Sequence, residues 1–200
     1  MDYLVVGLGN PGEEYRLTRH NAGFLVVDQL AKSNRLRLAL LKPSETALGG
    51  WFRLGEHRVM LAKPTTFMNR SGVAVKTLME RYSFPLSRVI IISDEFSLPF
   101  GFLRLRARGS SGGHKGLSSI ISYTGAEFAR LRLGIGRPAA GVQAPDFVLS
   151  RFTAEEEKRL PELVSIAGQA VLTWIQEGTE KAMSLYNGMI QVLKERPERI

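Results

Sequence analysis

Apolar runs over residues 3–8, 46–54, 58–62 and 88–93, each bounded by polar or glycine-rich stretches, have the length of β-strands. Residues 22–32, 66–82 and 114–123 instead place apolar positions at helical spacing. Strands alternating with helices argue for an α/β layer fold. Gly55-Glu56 separates two strand-like runs and marks a hairpin, so the expected architecture is a mixed, twisted β-sheet sandwiched between α-helices. Leu103-Arg104-Leu105-Arg106 and Arg130-Leu131-Arg132-Leu133 alternate strictly and predict two more strands, leucines on one face and arginines projecting together from the other. The segment 134–150, with Gly134, Gly136, Pro138, Gly141 and Pro145, reads as a long loop. Thr153-Ala154-Glu155-Glu156 is then a capping box opening a helix striped by Leu160, Leu163, Ala167, Ala170, Val171 and Trp174. That helix is expected to stop near Gly178, with a shorter one from Thr179.

Two hundred residues suffice for one sizeable core, so 1–190 are expected to form a single domain and 191–200 a frayed tail. At 44% apolar and 23% charged the composition is that of soluble globular proteins. No apolar run approaches a membrane span, so a cytoplasmic protein without a membrane partner is expected. The absence of cysteine excludes disulfides, thiolate zinc sites and thiol nucleophiles. Of the three histidines, His57 falls at the hairpin, and no two stand at metal-ligand spacing, so no metal is expected. A net charge of +8 points to a polyanionic partner.

Val5-Val6-Gly7-Leu8-Gly9-Asn10-Pro11-Gly12 delivers a strand end into a flexible turn, and a titratable base follows in Thr18-Arg19-His20-Asn21. Gly7, Gly9 and Gly12 also satisfy G-x-G-x-x-G with Asp28 downstream. A dinucleotide site, however, needs a helix packed on the sheet where residues 13–21 are almost wholly polar. Lys63-Pro64-Thr65-Thr66-Phe67-Met68-Asn69-Arg70-Ser71-Gly72 joins a strand to a helix, and either Thr65 or Thr66 simply caps that helix or Phe67 and Asn69 face a ligand. Ile90-Ile91-Ile92-Ser93-Asp94-Glu95 ends a buried strand on two carboxylates, where open α/β sheets bind ligands and a carboxylate can orient a histidine. Gly109-Ser110-Ser111-Gly112-Gly113-His114-Lys115-Gly116 imitates a nucleophile elbow without a later histidine, and a phosphate loop without Ser or Thr after its lysine. What survives is a run of amides able to face an anion. Arg104, Arg106 and Arg108, with Arg130 and Arg132, form a candidate phosphate-binding stripe.

Taken in order, these segments resemble the bacterial peptidyl-tRNA hydrolases through nearly the whole chain. Gly7–Gly12 with Tyr15 and Thr18–Asn21 looks like a first signature, and Lys63–Gly72 like a second. Ser93–Glu95 through Leu98-Pro99-Phe100-Gly101, with Gly112-Gly113-His114, looks like a third, and Arg130–Pro138 like a fourth. The resemblance implies a monomeric enzyme that hydrolyses the ester joining a peptide to the terminal ribose of tRNA, with no metal or organic cofactor. It implies His20 as general base, Asp94 as its orienting partner, and Asn10 and Asn69 as the groups that position peptide and water. Tyr15 and Phe67 would shape the cleft, Met68, His114 and Lys115 would meet the substrate, and Arg106 and Arg132 would clamp the tRNA 5′-phosphate beside the acceptor end. The chemistry is coherent, because a neutral imidazole takes a proton from water while a carboxylate on its other nitrogen fixes the tautomer.

Lys115 departs from the family, which usually has asparagine there; an ammonium only donates hydrogen bonds, so a water held through an acceptor loses its partner. Ser93 and Ser97 also replace residues more often His and Asp. Two alternatives stand beside this reading. One is an RNA-binding relative without turnover, like the plant organelle splicing factors that resemble the family. The other is a nicotinamide-dependent oxidoreductase, weakened by the polar segment after Gly12.

Overall fold

The computed structural model describes residues 1–41 and 46–189, so the expected tail lies outside the described residues. Its strands are β1 (Asp2–Gly7), β2 (Ala39–Leu40), β3 (Ala47–Leu54), β4 (His57–Pro64), β5 (Val89–Glu95), β6 (Phe102–Arg106), β7 (Ala129–Gly134) and β8 (Gly188–Met189). The helices are α1 (Ala22–Ser33), α2 (Ser71–Tyr82), α3 (Lys115–Thr124), α4 (Ala144–Leu149), α5 (Ala154–Glu177) and α6 (Thr179–Tyr186). All strands join one sheet in the order β2-β3-β4-β1-β5-β7-β6-β8. The central four run parallel, whereas β3 and β6 pair antiparallel outside them, which is the expected mixed sheet. Gly55-Glu56 makes the expected two-residue turn, with Gly55 at φ 57°.

Every residue of β5 is buried, as an apolar parallel strand covered on both faces requires. Successive side chains point to opposite faces, so Val5, Ile90 and Ile92 enter one core with Val26 and Leu30 of α1, Leu163 and Val171 of α5 and Ala182 of α6. Leu4, Val6 and Ile91 enter the other, against Val75 and Leu78 of α2 and Leu117 and Ile120 of α3. From β1 the chain crosses over α1 to the sheet edge at β2, comes back through β3 to β4 beside β1, and then passes over α2 to β5 on the opposite side of β1. That reversal opens a crevice beyond the carboxyl ends of β1 and β5.

The approach of α1 to this crevice requires glycine. A Cβ on Gly23 would meet the Ile92 carbonyl oxygen at 2.3 Å and Leu8 N at 2.5 Å, and one on Gly7 would meet the Gly23 carbonyl oxygen at 2.2 Å. The polar stretch after Gly12 forms two 3-10 turns, Glu13–Tyr15 and Arg19–Asn21, and α1 starts only at Ala22. No helix opens at the third glycine, and Asp28 pairs with Lys63 Nζ at 2.7 Å, so the dinucleotide arrangement is absent.

The two-residue strands β2 and β8 were not expected, and three elements bordering the crevice differ from expectation. The helix expected over 66–82 begins as a 3-10 turn, Met68–Arg70, and becomes α2 at Ser71. The strand expected to end at 93 continues through Asp94 and Glu95, held by β7 at Leu133 and Gly134. Within the expected loop 134–150, α4 forms with Pro145 in its first turn, where the missing N–H has no intrahelical partner to lose. The capping box is present: Thr153 Oγ1 accepts from Glu156 N at 3.2 Å, and Thr153 N donates to Glu156 Oε2 at 2.8 Å.

Overpacking at a backbone contact this close should outweigh loss of a cap. Gly23→Ala is expected to destabilise the protein by about 3 kcal/mol or more, against about 1 kcal/mol for Thr153→Ala. Urea midpoints ranked the other way would show that α1 can retreat from the sheet without penalty.

Candidate active site

His20 stands on the turn before α1 and Asp94 near the end of β5. The His20 Nδ1 hydrogen bonds Asp94 Oδ1 at 2.9 Å, with the side chains 11% and 2% exposed. A carboxylate can only accept here, so the proton lies on Nδ1 and the Nε2 lone pair is left for the cleft that His20 lines. His114, immediately before α3, meets the same oxygen through Nε2 at 3.1 Å. Its Nδ1 accepts from Gly116 N at 3.1 Å and Leu117 N at 3.3 Å, capping α3. A nitrogen that accepts two amide hydrogens carries no proton of its own, so His114 donates from Nε2 to Asp94. Burial by itself would raise the Asp94 carboxyl, but the histidines on either side outweigh it and hold it well below the usual carboxylate range.

Sequence spacing concealed this cluster. The facing atoms of His20, Asp94 and His114 lie within 4.8 Å of one another, a donor set able to hold a metal ion, although no two histidines stand at ligand spacing along the chain. A metal there would have to displace both protons that now bridge to Asp94.

Asn10 leaves β1 into the crevice with its amide oriented. Its Oδ1 accepts from Met68 N at 2.8 Å, while its backbone N donates to Asn21 Oδ1 at 2.9 Å and its carbonyl oxygen accepts from Asn21 Nδ2 at 3.0 Å. The Asn10 Nδ2 is thereby turned away from Met68 as a donor. Together these groups border a cleft of about 290 Å³. Phe67, Met68 and Asn69 form one rim, Gly112 to Lys115 another, and Pro145, Val148 and Leu149 of α4 a third. Phe67 and Asn69 are exposed, Met68 is buried, and Lys115 is exposed at the start of α3. Tyr15, expected in the cleft, does not line it; its carbonyl oxygen accepts from Thr18 N and Oγ1 instead.

The arginines share one face as expected, Arg104 opposite Arg132 and Arg106 opposite Arg130, yet they do not form one stripe. Arg130 is buried, and its guanidinium holds the carbonyl oxygens of Gly109, Ser110 and Ala126 at 2.5–2.9 Å. Burial, then the neighbouring Arg132, push it down to about 10, still cationic at neutral pH. Arg130 therefore braces the glycine-rich loop and leaves the candidate phosphate surface. Arg108 pairs with Glu127 at 3.5 Å, and Arg132 with Glu95. Arg106 is exposed.

Comparison with known proteins gives the family. Residues 4–195 match the family model for peptidyl-tRNA hydrolase. The chain belongs to the peptidyl-tRNA hydrolase family. It is 46% identical over 187 residues to the peptidyl-tRNA hydrolase of Aquifex aeolicus, an alignment covering 92% of this chain and 95% of that one. The identity is 45% over 186 residues with that of Carboxydothermus hydrogenoformans, covering 92% and 98%. Among solved structures, peptidyl-tRNA hydrolase from Acinetobacter baumannii superposes with a TM-score of 0.86 at 36% identity, covering 92% of this chain and 95% of that one.

Against the peptidyl-tRNA hydrolase signatures, the roles of three residues escaped the sequence. Asn21 fixes Asn10, although its place beside His20 was a signal available to be used. Arg19 reaches Glu156 Oε2 at 2.7 Å and the Ile135 carbonyl oxygen at 2.8 Å, and stacks its guanidinium 4.5 Å from the Phe147 ring centroid. It thereby ties the His20 turn to α4 and α5. Glu95, next to Asp94, lines the cleft.

A carboxyl held below its unfolded value adds stability that is fully present above that value, ~3.9 for aspartate, and is lost progressively as pH falls below it towards the lower folded value. Below about pH 4 the wild type is expected to lose stability more steeply than Asp94→Asn. Parallel stability curves from urea titrations across pH 2.5–6 would count against the paired carboxylate.

Proposed function

We propose that this cleft hydrolyses the ester between a peptide and the 3′-terminal ribose of tRNA, using a water deprotonated at His20 Nε2. The observation that carries the proposal is the hydrogen bond from His20 Nδ1 to buried Asp94, which aims the opposite nitrogen at the cleft. The water oxygen attacks the ester carbonyl as its proton passes to Nε2, and the imidazolium so formed faces a carboxylate already ionised. The tetrahedral oxyanion is met by side-chain amide N–H groups of Asn10 and Asn69. Collapse expels the ribose oxygen, which recovers the proton from His20, giving free peptide and reusable tRNA. Such a base contributes about 10²–10⁴-fold and an oxyanion donor a comparable factor.

Phe67 and Leu149 supply apolar rims for the peptide. His114, engaged at both nitrogens, acts through Asp94 as a positioning residue and not on the substrate. Lys115 offers only donors at the rim, where it favours the oxyanion or a phosphate over a water that needs an acceptor. The +8 charge, exposed Arg106 and Arg132 on the same face of the sheet suit the tRNA 5′-phosphate. No described helix is long and apolar enough to cross a membrane, and we place the enzyme in the cytoplasm as a monomer. A binding relative without turnover has no use for a histidine held in one tautomer over an apolar-rimmed cleft.

His20→Ala is expected to reduce turnover of N-blocked aminoacyl-tRNA by at least about 10²-fold with tRNA affinity unchanged. Retention of a tenth of wild-type turnover would remove His20 from the chemistry. Arg106→Ala should raise KM and lower the magnitude of the log–log salt slope of tRNA binding by about one, with turnover at saturation preserved. An unchanged slope places the phosphate elsewhere.

A further inference from the structure

Glu95 is a buried charge that the hydrolytic chemistry does not use. Its Oε2 pairs with Arg132 Nη1 at 2.5 Å while its Oε1 accepts from Ser97 N at 3.1 Å, so the carboxylate is anchored at both oxygens. Arg132 Nη2 in turn donates to the Ser110 carbonyl oxygen at 2.7 Å. The side chains are 8% and 13% exposed. Gly112, at φ 59°, packs against the same guanidinium: a Cβ there would lie 2.6 Å from Nη1. Both terminal nitrogens of Arg132, which form one edge through which a guanidinium grips an oxyanion bidentately, are therefore already engaged by protein acceptors. Among the described residues, Arg106 by contrast donates only to the carbonyl oxygen of its neighbour Leu105.

We propose that Glu95 is a specificity-determining residue that withholds Arg132 from the phosphodiesters of the RNA backbone and yields it only to a terminal phosphate. The proposal rests on Arg132 meeting the tRNA 5′-phosphate. A phosphodiester carries a single negative charge, no more than Glu95, and must be ordered to displace a carboxylate already fixed by Ser97. A phosphomonoester brings a charge of about −1.5 to −2 and three acceptor oxygens, enough to take the guanidinium edge in exchange. Glu95 thus acts as an internal competitor that sets a charge threshold. Without it, Arg132 would hold any backbone phosphate that drifted against it, and a correct 5′ end would be harder to distinguish.

The test is equilibrium binding of one tRNA, prepared with a 5′-phosphate or a 5′-hydroxyl, to the wild type, Glu95→Gln, Arg132→Ala and the double variant over a range of salt. Glu95→Gln is expected to bind the 5′-hydroxyl tRNA about fivefold more tightly, with a log–log salt slope steeper by about one, and the gain should vanish when Arg132 is also alanine. If Glu95 merely scaffolds Arg132, Glu95→Gln weakens the 5′-phosphate form and leaves the 5′-hydroxyl form unimproved, which overturns the proposal. A gain that persists without Arg132 overturns it too. If Arg132→Ala keeps the full preference for the 5′-phosphate, the phosphate reading of Arg132 fails first and the competitor role with it. Should Glu95→Gln not fold, the wild type decides: the Arg132 Nε–H resonance is expected to move on adding 5′-phosphate tRNA and to stay in place with the 5′-hydroxyl form, and movement with both overturns the proposal.

Discussion

One carboxylate oxygen, Oδ1 of Asp94, receives an imidazole N–H from each side, and those two hydrogen bonds join three parts of the chain that are remote in sequence. Asp94 is held in β5 by its register with Leu133, His20 comes from the turn before α1, and His114 from the last residue before α3. A buried charge is tolerated only when it is paired and hydrogen-bonded. Folding of the site is thus conditional on all three segments arriving together, and the surrounding contacts can be understood as what keeps them there.

Several of those contacts are backbone clamps. Gly7 and Gly23 let β1 and α1 approach until no side chain fits between them, which fixes where His20 can stand. Arg19, its neighbour, reaches into α5 through Glu156, the same glutamate that closes the capping box. On the other side, Arg130 and Arg132 gather the carbonyls of the glycine-rich loop that ends on His114. The positive charge that suggested nucleic acid is in part internal structure.

The sheet, its hairpin and most helices were legible because apolar periodicity is local, and the strand ends carrying Gly7–Gly12 and Asp94 fell where an α/β fold places chemistry. Four signatures in order made the family legible as well. Side-chain roles that depend on three-dimensional meeting were not. Nothing about Arg130 in sequence separates it from Arg132, since both alternate with leucine; the difference arises because the carbonyls of Gly109, Ser110 and Ala126 enclose the Arg130 guanidinium, whereas Arg132 meets only the Ser110 carbonyl of that loop and turns to Glu95. The helix α4 hid among glycines and prolines because six residues are too few for periodicity to show, and its apolar side chains only make sense against the cleft they wall. Tyr15 stood in a matching signature, yet its neighbourhood is the turn that launches His20 and not the cleft.

The imidazole at position 114 is selected by its span. Serine or aspartate would satisfy the first amides of α3 equally well, but neither has a donor that reaches across to β5. Lysine or arginine would reach the carboxylate and offer nothing to the helix. A flat ring that accepts at one corner and donates at the opposite one is the last residue of a loop, the first stitch of a helix and the wall of a carboxylate at once. The helix therefore cannot be extended, trimmed or rotated by a residue without dragging the Asp94 side chain with it, and the length of the glycine-rich loop before it becomes a measured quantity of the fold, as intolerant of insertion as a core position is of a larger side chain.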